Sequence, residues 1–118
     1  MTTPNLEIYN PNEMLVQCMN DKDIFNQFLA MACQTLPSYK EELLTAIESE
    51  DVDVIGQKAH KLKSFTGNIK LSQLNQLLVG IEHDARQNNL ANIKAVFEEL
   101  KIAFTCAETA LNNELTNK

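Results

Sequence analysis

The stretch that decides the fold is AHKLKSFTGNIKLSQL, residues 59–74. Its apolar members belong to a longer row, Val52, Ile55, Ala59, Leu62, Thr66 and Ile69, spaced alternately three and four residues apart. That spacing is the buried seam of a helix packed in an antiparallel bundle. Asp51 stands where such a helix needs an N-cap, so the spacing predicts a helix from Val52 to about Ile69. The rhythm restarts at once with Leu71, Leu74, Leu78, Ile81 and Ala85. Two or three residues around Lys70 must therefore turn the chain back as a hairpin.

Working outward, the same periodicity fills most of the chain, and no segment alternates with period two. A helix capped by Asn20 or Asp21 is expected to carry Phe25, Phe28, Leu29, Leu36, Leu43 and Ile47, with Pro37 kinking it or breaking it in two. QNNLAN supplies a break, and Asn89 caps a last helix expected from about Leu90 to Leu115. A short helix is expected near Asn12 to Cys18, after Pro11. The fold class is all-α: an antiparallel up-and-down four-helix bundle with a short extra N-terminal helix. With 118 residues and neither linker nor repeat, residues 1–118 are expected to form one domain and a monomer.

Composition narrows the function. Ten Lys and Arg against sixteen Asp and Glu give a net charge of −6, which argues against nucleic acid as a partner. No apolar run is long enough for a membrane span and the N-terminus does not read as a signal peptide, so the expected location is cytoplasmic, with no membrane role. Cys18, Cys33 and Cys106 have neither CxxC spacing nor a histidine nearby, and are expected to be buried reduced thiols without metal. Between Val54 and Ile81 there is no acid at all, whereas Lys58, Lys61, Lys63 and Lys70 fall there. The segment reads as a basic island on an acidic chain.

His60 lies within that island. At about 100° per residue it points roughly 130° away from its helix's seam, toward solvent. Gly56, Lys63, Ser64 and Gly67 share its face, so the ring is expected to have one ammonium group beside it and little else. A mid-helix glycine costs about 1 kcal/mol relative to alanine. Bare backbone around an exposed imidazole is what the close approach of another macromolecule requires. An imidazole with one unprotonated nitrogen is a nucleophile toward phosphorus, and a neighbouring ammonium group offsets phosphoryl charge. His83, between Glu82 and Asp84, is a poor phosphosite because those acids would repel the group. Gly80 is expected to permit close helix packing, and Phe65 and Thr66 belong to the bundle.

These residues resemble the signature of histidine phosphotransfer (HPt) domains, approximately A-H-x-L-K-G, a few small residues, an apolar residue, often a glycine, and a leucine opening the next helix. The resemblance extends over essentially the whole chain, since the helix order, the aspartate before the histidine helix and the hairpin after it all match. It implies that His60 is the phosphoacceptor, Lys63 the lysine beside the phosphoryl group, and Ser64 the position usually held by glycine. Lys70 stands where many members have a hairpin glycine. It further implies a phosphocarrier, not an enzyme: a receiver domain donates from a phosphoaspartate, a second receiver accepts, and a hybrid histidine kinase stands upstream. In that family the acid pocket and divalent cation belong to the receiver, so no cofactor and no metal are expected here. Gly56, Gln57, Lys61, Ser64, Gly67 and Lys70 are expected to meet the partner, together with an exposed apolar patch near the hairpin. Two other classes stay open. One is a four-helix interaction module that is never phosphorylated. The other is the phosphoacceptor bundle of a histidine kinase, whose H-E-x-x-x-P pattern is missing. A haem or metal bundle would need facing ligands that His60 and His83 do not supply.

Overall fold

Asp21, Asp51 and Asn89 each begin a helix by accepting backbone N–H bonds, from Asp23 and Ile24, from Asp53 and Val54, and from Asn92 respectively. The computed structural model describes residue 16 and residues 18–116. Among them are five helices in the order α1 (Lys22–Ser49), α2 (Val52–Asn68), α3 (Ser72–Arg86), α4 (Leu90–Ala95) and α5 (Phe97–Thr116). They form an all-α, up-and-down antiparallel bundle with no strand among the described residues. The extra helix expected near residues 12–18 lies mostly outside the described residues.

Burial follows the spacing. Ile55, Ala59, Leu62, Thr66 and Ile69 of the α2 row are buried, as are Leu71, Leu74, Leu78, Ile81 and Ala85 of the α3 row. Leu29, Leu36 and Leu43 from α1 and Leu100, Phe104 and Leu111 from α5 complete the core. Thr66 is tolerated inside because its hydroxyl donates to the carbonyl of Leu62 at 2.9 Å. Pro37 does not break α1, which runs unbroken through it. The proline is on the exposed side, where the missing backbone donor is least costly.

Two expectations need correction. The last helix is not continuous: Val96 has φ −101° and ψ 7°, and its N–H turns back to the carbonyl of Ile93. The break lets α4 swing toward two polar anchors, Asn92 to Asp84 at 2.7 Å and Lys94 to Glu50 at 2.6 Å. Second, only Cys18 of the cysteines is buried. Cys33 and Cys106 are half-buried, and burial pushes the Cys33 thiol up.

The α2–α3 hairpin is as tight as expected, consisting of Ile69, Lys70 and Leu71. Leu71 N–H bonds the carbonyl of Thr66 at 2.9 Å and Ile69 N–H that of Phe65 at 3.2 Å. Closing the turn places Lys70 in the left-handed region, φ 61°. A side chain there is strained, and glycine is not. Lys70→Gly is therefore expected to raise stability by about 0.5–1 kcal/mol and the melting temperature by about 2–4 °C. Thermal and urea denaturation check this, and a lower melting temperature would show that the strain is absorbed elsewhere.

Candidate functional site

The caps and seam of α2 and α3 bring one face of each helix to a common edge. Asn75, Val79, Glu82 and Arg86 lie in a row along α3, facing Gly56, His60, Lys63 and Gly67 on α2. His60 projects from the middle of this edge with 58% of its side chain exposed. Its Nδ1 lies 2.9 Å from Oε2 of Glu82. A carboxylate only accepts, so Nδ1 carries the hydrogen, and in the neutral ring the lone pair is on Nε2, at the outward end.

Glu82 is the centre of the cluster. Its side chain is 5% exposed, and it accepts from Lys63 Nζ on Oε1 at 2.7 Å and from Arg86 Nη2 on the same Oε2 that His60 uses. Burial alone would raise its carboxyl pKa. Hydrogen bonds from Lys63 and His60 and the charges of Lys63 and Arg86 outweigh that and hold it below its ordinary value. A shallow groove runs from His60 past Gly56 to Asp53, with Glu82, Ala85 and Arg86 on its other wall.

The expectation that the ring has only an ammonium beside it is therefore incorrect. The acid-free window of the sequence ends at Ile81, one residue short of the carboxylate that holds His60. Glu82 does not serve to repel anions from His83, which is exposed. Its signal was present in the sequence: an acid standing among the seam positions Leu78, Ile81 and Ala85 must have partners inside the structure. Arg86, one turn further along, was missed for the same reason.

The basic island also looks different in space. Lys58 and Lys61 both reach Glu42 of α1, at 3.1 and 3.4 Å, and Lys61 Nζ lies 4.1 Å from the centre of the Tyr39 ring. Lys58's hydrogen bond, foremost, holds the Glu42 carboxyl below its ordinary value. Lys70 has no ion pair among the described residues. Gln57, Ser64 and Gly67 are exposed, whereas Gly56 is half-buried. Phe65 packs edge-on against Tyr39, with ring centres 5.3 Å apart.

The glycines separate into different cases. A Cβ on Gly56 would lie 3.5 Å from Cβ of Ala85, an ordinary contact at the helix crossing. One on Gly67 would lie 3.5 Å from Nδ2 of Asn75, which itself bonds the carbonyl of Lys63 at 2.7 Å. One on Gly80 would meet nothing within 4 Å, so that glycine is not there for helix packing, contrary to expectation. The apolar patch expected near the hairpin reduces to Val79, the one large exposed apolar side chain on α2 or α3, 43% exposed.

Residues 27–116 match the family model described as the Hpt domain. The fold is similar to that of the HPT domain of an Hpt sensor hybrid histidine kinase from Shewanella, with TM-score 0.84, 23% identity, and 97% of this chain and 98% of that chain covered. It is similar also to histidine-containing phosphotransfer protein B from Pseudomonas aeruginosa, with TM-score 0.85, 16% identity, and 97% and 99% covered. No curated protein matches the sequence. Among the described residues no helix is long and apolar enough to cross a membrane, and no cluster of three or more His, Cys, Asp or Glu is placed to hold a metal ion.

The Glu82 cluster sets an acid dependence. Because its folded pKa is depressed, the carboxylate contributes stability above its ordinary pKa of 4.5 and loses it as pH falls through the lower folded value. Glu82→Gln is expected to be less stable than wild type by about 1–2 kcal/mol at neutral pH, a gap that narrows as pH falls from about 5 to 3. Urea denaturation across that range measures it. Parallel stability curves for the two proteins would contradict the assigned ionisation.

Proposed function

This chain belongs to the Hpt domain family, and on that premise we propose that it is a phosphocarrier of a two-component phosphorelay, with His60 as phosphoacceptor. The observation that carries the reading is the ring itself: Nδ1 is held by a buried carboxylate while the other edge of the imidazole is exposed. Donor and acceptor are receiver domains, and a hybrid histidine kinase charges the donor.

The transfer balances on these groups. Nε2 donates its lone pair to phosphorus, the O–P bond of the receiver's acyl phosphate breaks, and the bonding electrons leave with the aspartate carboxylate. The proton stays on Nδ1, so the phosphorylated ring becomes a cation. Glu82 faces that new charge directly, and a charge-assisted hydrogen bond replaces a neutral-donor one. Lys63, beside the ring and bound to the other oxygen of Glu82, is placed to neutralise phosphoryl oxygens. The return transfer runs the same steps backward. Catalytic acids and metal chemistry are supplied by the receiver, so the chain acts as carrier and not as an enzyme.

Docking rests on the α2–α3 edge, where Gly56, Gln57, Lys61, Ser64, Gly67 and Lys70 surround or flank the ring. Lys61 reaches the receiver by leaving Glu42, an exposed pair that holds it only weakly. Lys70, without an ion pair among the described residues, offers a cation at the hairpin.

With a phosphorylated receiver as donor, acid-labile, base-stable label is expected on the wild type and on His83→Gln but not on His60→Gln, and labelled His60→Gln would refute the acceptor. In the same assay Lys63→Ala is expected to slow transfer more than it weakens receiver binding, and equal losses would reduce Lys63 to a docking residue.

The approach surface is tested at Gly67. Gly67→Ala is expected to stabilise the fold by up to about 1 kcal/mol, since its methyl meets Asn75 only at ordinary contact distance. Gly67→Gln is expected to fold yet to transfer slowly, because its side chain occupies the partner's space. Melting curves and transfer rates on both variants decide it, and a Gln variant that is fully active would overturn the approach surface.

A further inference from the structure

Two cations face one carboxylate beside His60, and they are not held alike. Lys63 occupies Oε1 of Glu82, from the same helix as His60, and is 33% exposed. Arg86 lies across the groove on α3, shares Oε2 with His60 Nδ1, and is 68% exposed. One of the two exceeds what Glu82 needs. We propose that Arg86 is a ligand of the phosphoryl group: when His60 is phosphorylated, its guanidinium leaves Glu82 and binds the phosphoryl oxygens. The inference rests on the phosphocarrier reading and adds to it a residue that holds the charged intermediate.

Three physical considerations lead there. The first is charge balance. With the ring neutral, Lys63, Arg86 and Glu82 leave one positive charge in surplus. Phosphorylation adds about two negative charges and turns the ring into a cation, which brings the cluster close to neutrality. The second is competition on one oxygen. A cationic ring makes a stronger bond from Nδ1 to Oε2, which weakens the claim of Arg86 on that atom. The third is freedom to move. Arg86 has most of its side chain in solvent although Glu82 is buried, so its guanidinium has room to turn outward, and its planar fork matches two phosphoryl oxygens at once. Glu82 thus keeps Arg86 beside the ring until an anion appears.

Breakdown of the phosphohistidine passes through a loose, metaphosphate-like state in which the phosphoryl oxygens lose charge. In the free phosphoprotein a cation bound to those oxygens favours the intact species over that state, so Arg86 lengthens its life, whereas Lys63 acts in the receiver complex, where it also holds the phosphoryl group in line for transfer. The test loads His60 chemically with phosphoramidate, whose N–P bond breaks to release ammonia as the His60 Nε2–P bond forms, so no receiver is needed. Phosphorus NMR of the wild type, Arg86→Lys and Arg86→Gln then follows the phosphoryl titration and the rate of hydrolysis, with melting curves to establish folding. Arg86→Gln is expected to raise the phosphoryl pKa by about half a unit or more and to shorten the lifetime about threefold, with Arg86→Lys in between. In the wild type the Arg86 side-chain N–H resonance should shift on phosphorylation. A residue with a merely structural role would change none of these. Unchanged titration and lifetime in a folded, labelled Arg86→Gln would overturn the role of Arg86 alone. Failure of both phosphoramidate and phosphorylated receiver to label His60 would overturn the phosphocarrier reading and the inference with it.

Discussion

Glu82 is a charged group at a position where the α3 seam would otherwise hold an apolar side chain. Removing a carboxylate from water costs several kcal/mol, and that cost is recovered only where good partners converge on both oxygens. Here they come from two helices: Arg86 from α3 itself, His60 and Lys63 from α2. A slip of α2 against α3 by one residue would leave the buried carboxylate with Arg86 alone and without partners from α2. The ion cluster therefore fixes the relative register of the two helices, and the three-residue hairpin at Ile69–Leu71 fixes it independently. Two constraints agree on one geometry, which is what places an exposed side chain reproducibly.

Reproducibility matters because an exposed imidazole has few contacts of its own to hold it. A bond to a buried acceptor restricts the ring's rotation and selects its tautomer, while the opposite edge remains in solvent. Under the phosphocarrier reading proposed above, the same acceptor also meets the charge the ring acquires on phosphorylation. The surrounding cations are divided between two acids, Lys58 and Lys61 on Glu42 and Lys63 and Arg86 on Glu82. His60 lies between these clusters, on a surface less positive than the run of lysines in the sequence suggests. Under the same reading, steering by a strong positive field is correspondingly weaker, and exchange of exposed ion-pair partners takes on more of the recognition.

What was legible in the sequence was local. The three-four spacing of α2 and α3, the caps at Asp21, Asp51 and Asn89, and the hairpin at Lys70 are each determined within a few residues, and each stands where expected. The position of His60 on the exposed side follows from the same angular arithmetic. What was not legible was pairing between helices. Glu82 is 22 residues from His60 and Glu42 is 16 from Lys58, so no local pattern announces either bond. The break at Val96 is of the same kind, since its anchors, Asp84 in α3 and Glu50 at the C-cap of α1, are distant in sequence or lie on another element. A charged residue in a buried seam was the one local sign of the missing half of the site.

Gly67 and Gly80 show how structure changes the weight of a sequence argument. A glycine in a helix can be required by internal crowding, by backbone conformation or by something outside the chain. Neither residue has a positive φ, so conformation does not require it. A Cβ would meet nothing at Gly80, and at Gly67 only an amide nitrogen at ordinary contact distance, so crowding does not require it either. Each position nonetheless forgoes about 1 kcal/mol of helix stability relative to alanine, in a fold whose total is about 5–15 kcal/mol. For Gly67, two turns from His60 on the same face, an approaching receiver supplies the external reason under the reading proposed above. For Gly80, the outward face of α3 beside Val79 gives no such reason from the chain itself. At Gly56 too a Cβ would meet α3 only at ordinary contact distance, 3.5 Å from Cβ of Ala85, so crowding requires none of the three glycines.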